Sequence, residues 1–381
     1  MRTGKEPRCD ASCTVRPLAV GLLLLGAATA LAQAQPAPAA SPAALAPGRV
    51  QAVEAAITAA MSAQKIPGVS VSVVTGGELR WSSGYGEADV ENGVKAAPET
   101  VYRLASVSKP ITAVAAMQLV EQGKLDLDAP VQKYVPAFPT KPWPITTRQL
   151  LGHLSGIRHY GDHEMENTRH YATLAEALDL FQNDPLVHEP GTAYLYSTYG
   201  YTLAGVVVEA AAGTTFADYV RKNVFERAGM ATTRVDDVFE IIPHRAQGYQ
   251  KGPGGALQNS GLADTSYKIP GGGLCAAAPD LAHFAIALWN GGLVRPESRR
   301  EMFKSLKTRD GRATGYGLGW ALGRSPRGRR EVYHRGAQQR VTSLLYTQPE
   351  RGLAVVLFAN LEGMGAPLFT LAQQIADIVD P

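Results

Sequence analysis

Two Ser-x-x-Lys motifs place a nucleophile and a base one helical turn apart, at Ser62–Lys65 and at Ser106–Lys109. Residues three apart on a helix share one face, so an amine there can take a proton from the serine hydroxyl. Ser62 falls near the end of an amphipathic helix, where Lys65 would face solvent. Ser106 opens a predicted helix, whose unpaired N–H groups and dipole favour a developing oxyanion. Burial there would lower the pKa of Lys109 from about 10.4. The alternative for this pair is a capping serine followed by a solvated lysine.

Two further segments carry groups suited to the same chemistry. Tyr196 lies in YLYSTYGYTLAG, and it can act as a base or proton shuttle if nearby cations lower its pKa from about 10. The alternative is an aromatic residue of the core. The second segment, on a predicted late strand, reads His334-Arg335-Gly336-Ala337. We expect the N–H of Ala337 to be an oxyanion donor, and His334 to add a switchable positive charge near Tyr196.

Other chemistries find less support in the sequence. No G-x-S-x-G motif occurs, so the nucleophile elbow of the α/β-hydrolases is absent. Four of the eight histidines lie within residues 153–170, and the spacing of His159 and His163 suits metal ligands on one helical face. Gly161 interrupts that segment, so we expect a polar loop at the mouth of a cleft instead. We expect neither a metal nor a cofactor.

Strands are predicted at both ends of the chain, and helices in its middle. Valines alternate with serines over residues 69–73, which predicts a strand with one buried face, and Gly76-Gly77 predicts the turn to its partner. Further strands are predicted at 317–322, 331–335, 342–347 and 353–359. Helices are predicted from about 50 to 64 and at 111–122, 147–154, 174–181, 201–211, 216–228, 279–289 and 367–379.

This order of elements predicts an α/β (α+β) fold. One antiparallel sheet, assembled from both chain ends and flanked by helices, would carry a helix-rich insertion at about residues 115–270. The cleft between the sheet and the insertion is then the default place for a binding site.

The first 47 residues are predicted to lie outside that fold. Basic residues precede an apolar run at 18–32, which is shorter than the roughly 20 residues of a transmembrane helix. Ala30-Leu31-Ala32 has the small-x-small pattern of a signal cleavage site. We therefore predict a signal peptide at 1–32, a Pro/Ala-rich linker at 33–47, and a hydrolase domain at 48–381 that is secreted or periplasmic. An uncleaved anchor is the alternative.

Composition limits the partners of the chain. Its 381 residues include 37 Lys and Arg against 34 Asp and Glu, a net charge of +3, which is too even for a dedicated nucleic-acid binder. The 45% of hydrophobic residues is ample for a core. Cys275 alone would remain after cleavage, so packing must supply the stability. We expect a peptide or other small-molecule substrate, and no stable membrane insertion once the signal is cleaved.

The order of the three motifs, S-x-x-K, then Y-S-T, then H-x-G, resembles the penicillin-binding and class C β-lactamase superfamily. The resemblance spans essentially residues 48–379. It includes YRLASVSKPITAVAAMQLVEQGKLDLDAPVQKYVP and LLGHLSGIRHY. The stretches LFQNDPLVHEPGTAYLYSTYGYTL and SYKIPGGG are similar to the branch of mitochondrial serine β-lactamase-like proteins and their bacterial relatives.

The resemblance implies a β-lactamase/transpeptidase-like fold and a role for each motif. Ser106 would be the acylated nucleophile, Lys109 and Tyr196 the proton-transfer pair, and the N–H groups of Ser106 and Ala337 the oxyanion hole. His334 and Gly336 belong to the substrate-binding strand in this comparison. The branch is regarded as peptidase-like and its mitochondrial member forms filaments, which implies a homo-oligomer or filament here.

Two positions depart from the superfamily pattern. Thr198 stands where Asn is usual, and a hydroxyl cannot make both contacts of that amide with a substrate acylamide group. Arg335 replaces the Thr of K-T-G, whose hydroxyl helps to hold the substrate carboxylate. Arg335 either binds that carboxylate bidentately instead or points to solvent. Both departures lower the expected β-lactam hydrolysis.

The sequence therefore predicts an exported serine hydrolase that acts through an acyl-enzyme on a peptide or related amide bond. A carboxylesterase, a weak class C-type β-lactamase or a D-Ala carboxypeptidase uses the same acyl chemistry and stays open as an alternative. A non-catalytic binding or filament-forming scaffold is the alternative of another class.

Overall fold

The computed structural model describes residues 44–381, so the predicted signal peptide at 1–32 and most of the predicted linker at 33–47 lie outside the described residues. The strands are β1 (Gly68–Thr75), β2 (Glu78–Asp89), β3 (Val94–Lys95), β4 (Tyr102–Arg103), β5 (Arg234–Val235), β6 (Tyr249–Lys251), β7 (Leu257–Asn259), β8 (Leu274–Ala276), β9 (Ala321–Arg324), β10 (Arg330–Gln338), β11 (Val341–Gln348) and β12 (Leu353–Ala359). The α-helices are α1 (Pro47–Gln64), α2 (Ser108–Glu121), α3 (Thr147–Leu151), α4 (Leu174–Ala177), α5 (Thr198–Ala212), α6 (Phe216–Val220), α7 (Glu226–Ala228), α8 (Ile269–Gly272), α9 (Ala278–Trp289), α10 (Pro296–Met302) and α11 (Gly365–Val379).

One antiparallel sheet joins the two ends of the described chain, as the sequence predicts. Its strand order is β3-β2-β1-β12-β11-β10-β9, so β1 from the N-terminal half pairs with β12 from the C-terminal half. The glycine pair between β1 and β2 makes the predicted hairpin turn, with positive φ at Gly76 and Gly77. Smaller sheets, β4-β8-β5 and β6-β7, complete the strands of the described residues.

The sheet is buried on both faces, each against its own core. Helices α1 and α11 cover one face, where the valines of β1 pack with residues such as Ile57 and Ile375. The opposite face packs against α9, and Phe358, Leu345 and Trp320 belong to a larger core that includes residues of α2 and of the helices between α2 and α9. The resulting architecture is a mixed α/β fold with helices on both sides of an open antiparallel sheet.

The prediction of a single buried face for β1 is wrong, because its first seven residues are all buried. Ser70 and Ser72 lie on the face that was expected to meet solvent. Hydrogen bonds offset the cost of burying their hydroxyls: Ser70 Oγ donates to the Ala97 carbonyl at 2.8 Å, and Ser72 Oγ pairs with Ser82 Oγ at 2.7 Å.

Several predicted elements are shorter or less regular than their sequence pattern. The helix predicted at 147–154 ends at Leu151, since His153 adopts a left-handed φ of 58°. The one predicted at 174–181 is a single α-helical turn followed by a 3-10 turn. The one predicted at 216–228 contains a π-helical segment, Arg221–Phe225. The strand predicted at 317–322 begins only at Ala321, because Gly319 turns the chain with φ +84°.

Within residues 44–381, no single helix has both the length and the apolar composition that a membrane span requires. Helix α5 and the segment 216–228 reach that length and composition only as a pair, and the pair is bent by 75°. Most residues of α5 are buried in the larger core.

Candidate active site

Ser106 sits in a strained turn between the sheet and the first long helix of the larger core. It follows β4 in the 3-10 turn Ala105–Val107, directly before α2, and Ala105 has an unusual φ of 47°. The turn is held to the sheet by Ser343, whose hydroxyl donates to the Leu104 carbonyl at 2.6 Å. The half-buried Ser106 thereby faces a cleft with the start of α2 behind it.

Lys109 is fully buried one turn after Ser106, and its amine lies at the centre of a hydrogen-bonded group. Nζ is 3.1 Å from Ser106 Oγ, 3.1 Å from Thr198 Oγ1 and 2.7 Å from the Gly271 carbonyl oxygen. A neutral amine satisfies all three contacts, because it donates two N–H bonds and accepts one from the Ser106 hydroxyl. Burial lowers the pKa of Lys109 well below its usual value, and the nearby charge of Lys268 lowers it further. The sequence expectation of a lysine with a lowered pKa agrees with this geometry.

Tyr196 completes the group from the loop before α5. Its phenol hydrogen-bonds the Ser106 hydroxyl, and its ring centroid lies 4.8 Å from the Lys109 amine. The expectation that neighbouring cations would lower its pKa is wrong. Burial raises the pKa of Tyr196, and only the hydrogen bond with Ser106 acts in the opposite direction. Tyr196 is therefore a neutral phenol, which can donate a proton and relay one.

The start of α5 fixes the positions of both Tyr196 and Thr198. Ser197 caps the helix, since its Oγ accepts a hydrogen bond from the Gly200 N–H at 2.9 Å. The Ser197 N–H donates to His153 Nδ1 at 3.1 Å, and the His153 ring stacks on Tyr196 with centroids 4.2 Å apart. The Thr198 N–H donates to His159 Nδ1 at 3.2 Å, so two histidines anchor the loop.

The end of β10 approaches the Ser106 turn closely enough to require glycine. A Cβ on Gly336 would come within 2.1 Å of Ser343 Oγ and 2.5 Å of the Leu104 carbonyl oxygen. β9 pairs only with the first four residues of β10, so no strand covers the edge of β10 at Ala337. Ala337 is exposed and lines the cleft beside Ser106.

His334 lies behind the cleft as a neutral imidazole. Its Nδ1 is 2.8 Å from the Arg335 carbonyl oxygen, to which it donates, and its Nε2 accepts from the Tyr316 hydroxyl at 2.7 Å. Burial lowers the pKa of His334 to about 3, and the charge of Lys109 adds to that effect. The prediction of a switchable positive charge near Tyr196 is therefore not met. The two rings are nevertheless close, with centroids 6.4 Å apart.

Arg335 reaches the rim of the cleft rather than the Ser106 group. It is exposed, and its guanidinium lies 5.9 Å from the centroid of Tyr333 and 5.5 Å from that of Phe369. Arg335 is exposed and also lines the cleft, so its contact with a substrate carboxylate stays a prediction. Six of the eight predicted site residues line one cleft of about 330 Å³. They are Ser106, Tyr196, Thr198, Arg335, Gly336 and Ala337, whereas Lys109 and His334 are buried behind it.

The histidine-rich segment does not form a helix between His159 and His163, so the helical spacing that suits two metal ligands is not realised. Burial lowers the pKa of His159 to about 4 and keeps its ring neutral. His163 is exposed and pairs with Glu166 at 3.5 Å. In residues 44–381, no group of three or more His, Cys, Asp or Glu side chains is arranged to hold a metal ion.

Lys268 and Tyr160 are among the residues of the cleft that went unrecognised in the sequence. Lys268 is buried in the cleft floor, and the Thr198 side chain hydrogen-bonds the Tyr160 hydroxyl. A lysine followed by Ile-Pro-Gly-Gly-Gly, with no acidic residue close after it, is a signal that could have been read as a buried cation. Nothing in the local sequence of Tyr160 separates it from an ordinary core aromatic.

Comparison with known proteins agrees with the fold. The beta-lactamase family model matches residues 53–380. The chain is 31% identical to the human mitochondrial serine beta-lactamase-like protein LACTB, over 78% of this chain and 74% of that protein. It is 28% identical to penicillin-binding protein 4* of Bacillus subtilis, over 77% of this chain and 68% of that protein.

A solved structure with the same fold is that of the octameric penicillin-binding protein homologue from Pyrococcus abyssi. It superimposes with a TM-score of 0.76 and 28% sequence identity, over 87% of this chain and 77% of that chain. The superfamily and the fold class predicted from the three motifs are thus both confirmed. The chain belongs to the beta-lactamase family.

Proposed function

We propose that the protein is a serine hydrolase that cleaves peptide or related amide bonds through an acyl-enzyme on Ser106. The observation that carries the proposal is the buried Lys109 amine 3.1 Å from Ser106 Oγ. Its lowered pKa favours the neutral amine, which can accept the hydroxyl proton, and activation of a serine requires such a base.

The proposed reaction begins when Ser106 Oγ attacks the substrate carbonyl carbon and its proton passes to Lys109 Nζ. The N–H groups of Ser106 and Ala337 stabilise the oxyanion of the tetrahedral intermediate. Tyr196 then gives its phenolic proton to the leaving group and regains one from Lys109, so the acyl-enzyme forms with Lys109 neutral again. Deacylation repeats these steps with water as the nucleophile. Lys109 and Tyr196 take the proton of the attacking water and return a proton to Ser106 Oγ as the acyl group leaves it.

Thr198 bears on which acyl substrates are turned over. Its hydroxyl is already held by Lys109 at 3.1 Å and by Tyr160, so it has little capacity left for a substrate acylamide group. This supports amides and esters over β-lactams as substrates.

An oligomeric state is part of the proposal, in line with the octameric name of the Pyrococcus abyssi homologue. We also propose that the protein is exported, on the basis of the sequence pattern of residues 1–32. The proposed domain limits are a linker at 33–47 and a hydrolase domain at 48–381, with the helix-rich insertion at about 115–270.

A substrate panel tests the reaction class. Purified protein would be incubated with p-nitrophenyl butyrate, an N-acetyl dipeptide p-nitroanilide and nitrocefin, and the initial rates compared. We expect turnover of the ester and the anilide and much slower turnover of nitrocefin, because Thr198 cannot replace the usual amide contacts. Faster turnover of nitrocefin than of the other two would contradict the proposed substrate class. Turnover of none of them would favour a binding or filament-forming scaffold.

The pH dependence of kcat/KM should report the titration of Lys109. A base must be neutral to act, so kcat/KM should be level at alkaline pH and fall on acidification through the lowered pKa of Lys109. The histidines around Lys109 should add no limb near neutral pH, because burial lowers the pKa of His334 to about 3 and that of His159 to about 4. Initial rates measured across the pH range check this, and a kcat/KM that rises on acidification would contradict it.

In a Lys268→Met variant the acidic limb should move to higher pH. The variant lacks the second cation that lowers the pKa of Lys109, so Lys109 becomes protonated more readily. The matched control is Lys251→Met, which removes an exposed lysine on β6 and should leave the limb in place.

A further inference from the structure

Lys268 is a buried cation in the cleft floor that the reaction outlined above does not use. Its side chain is only 2% exposed, yet it lines the cleft that holds Ser106. The amine faces aromatic rings, 5.3 Å from the centroid of Tyr160 and 5.1 Å from that of Tyr267. Among the described residues it has no hydrogen-bond or ion-pair partner. A buried lysine without an acceptor is costly, so a group that supplies one would bind there favourably.

The Gln338 amide is a second donor in need of a partner at the same place. Gln338 is 5% exposed, lines the cleft, and its buried Nε2 has no hydrogen-bond partner in the described part of the chain. A Cβ placed on Gly272 would meet Gln338 Oε1 and Lys268 Cδ, each at 3.6 Å. The two side chains therefore flank one glycine of the cleft floor, where the missing side chain leaves room for a ligand.

Two buried carboxylates of this region, Asp236 and Asp264, are already engaged with other partners. Asp236 forms ion pairs with Arg103, at 2.7 Å, and with Arg245. Asp264 accepts from the Ser266 N–H at 2.7 Å and lies 2.9 Å from His170 Nδ1. Of the charges that act on Lys268, the Arg103 cation lowers its pKa, and the Asp236 carboxylate, which is paired with Arg103, raises it. Burial lowers the pKa of Lys268 to about 7, and an anion bound beside it would raise that pKa again.

The position of Gln338 along β10 indicates which half of the substrate Gln338 and Lys268 would contact. The proposed proton donor to the leaving group, Tyr196, lies beside His334, at the near end of the cleft-facing segment of β10. Gln338 lies four residues further along the strand, which is about 13 Å. The Ala337 N–H, the proposed oxyanion donor, precedes Gln338 directly. A substrate with its leaving group toward Tyr196 and His334 therefore extends its acyl half toward Gln338 and Lys268.

We propose that Lys268 and Gln338 form an anion-binding subsite that takes a carboxylate on the acyl half of the substrate. The inference rests on the proposed function, since the acyl half is defined by attack of Ser106. It names a substrate class: esters or amides of acyl groups that carry a negative charge. The ammonium and the carboxamide would both donate to the carboxylate, replacing the partners that the protein itself does not supply.

Three chromogenic esters test the subsite and its side. Mono-p-nitrophenyl adipate carries the carboxylate on the acyl half, and its methyl ester is the neutral control of equal length. A butyrate ester of 4-hydroxy-3-nitrobenzoic acid carries the carboxylate on the leaving group instead. The readout is the ratio of kcat/KM for the charged adipate to that for its neutral methyl ester, measured at one pH. A ratio cancels any change that Lys268 causes in the pKa of Lys109.

Wild type is expected to prefer the charged adipate over its methyl ester, and Lys268→Met to lower that ratio about 10- to 100-fold, as for loss of a charge-assisted hydrogen bond. Gln338→Leu should lower it about 3- to 10-fold and serves as the second variant should Lys268→Met fail to fold. Lys251→Met should leave the ratio unchanged. Circular dichroism confirms the fold of each variant.

The outcomes separate the subsite from the reaction. Turnover of the neutral ester with no preference for the charged adipate, or a preference that survives both Lys268→Met and Gln338→Leu, would overturn the subsite and leave the proposed hydrolase intact. A carboxylate preference confined to the leaving-group ester would place the anion on the other half and also overturn it. Hydrolysis of no ester would overturn the proposed function itself.

Discussion

Replacing Ser106 by alanine is expected to lower turnover of every substrate by at least about 10,000-fold, because no acyl-enzyme can form without the nucleophile. Ser106 is half-buried in a turn, so the loss of one hydroxyl should leave the fold intact. The measurement is kcat with p-nitrophenyl butyrate, accompanied by the thermal unfolding midpoint.

The chain offers a matched control for this variant in its other Ser-x-x-Lys motif. Ser62 and Lys65 are exposed at the end of α1, far along the chain from the cleft residues. Ser62→Ala should keep full activity. A Ser106→Ala enzyme that turns over substrate at the wild-type rate would show that hydrolysis uses another nucleophile.

Replacing Lys109 by methionine is expected to lower kcat/KM by about 100- to 10,000-fold, the usual contribution of a general base. Methionine has a similar length and no charge, so it fills the same space without a buried ionisable group. The amine of Lys109 is fully buried and makes three hydrogen bonds. Its removal should therefore lower the thermal unfolding midpoint only by the amount that corresponds to the loss of those three hydrogen bonds.

The control for this variant is Lys65→Met, which removes the exposed lysine of the other motif. It should leave kcat/KM unchanged. A Lys109→Met protein that keeps wild-type kcat/KM at every pH would rule out Lys109 as the base. A lower kcat/KM together with an unchanged acidic limb would also contradict the role, because the titrating group would then lie elsewhere.

The sheet and the main motifs could be predicted because their signals are local. The alternation of valines with serines and the Gly76-Gly77 turn depend on neighbours in sequence, and the structure has both strands and the turn between them. The spacing of Ser106 and Lys109 is likewise local, since one helical turn separates them. The order of S-x-x-K, Y-S-T and H-x-G indicated the superfamily to which the chain belongs, and the family match confirms it.

Burial and charge could not be predicted, because they depend on residues far apart in the chain. The neutral state of His334 follows from its burial and from the charge of Lys109, which lies on another segment of the chain. The raised pKa of Tyr196 has the same origin, because the loss of solvent on burial outweighs the hydrogen bond with Ser106. The second buried face of β1 is equally non-local, since the layer that covers Ser70 and Ser72 includes residues outside the hairpin.

The surroundings of Lys268 could not be predicted either, because they too depend on residues far apart in the chain. Its sequence neighbours give no indication that Gln338, on β10, lies across Gly272 from it. The resemblance included SYKIPGGG as a family stretch but assigned no role to the lysine. Only the folded cleft shows that a second buried amine stands beside the reacting group without an acceptor.

The most direct test of the central claim is to locate the covalent adduct. Protein treated with a fluorophosphonate would be digested and its peptides sequenced by mass spectrometry, for wild type, Ser106→Ala and Ser62→Ala. The adduct is expected on Ser106 in wild type and in Ser62→Ala, and it should be lost in Ser106→Ala. An adduct on any other residue of the wild-type chain, or its persistence in Ser106→Ala, would contradict the assignment of Ser106 as the nucleophile.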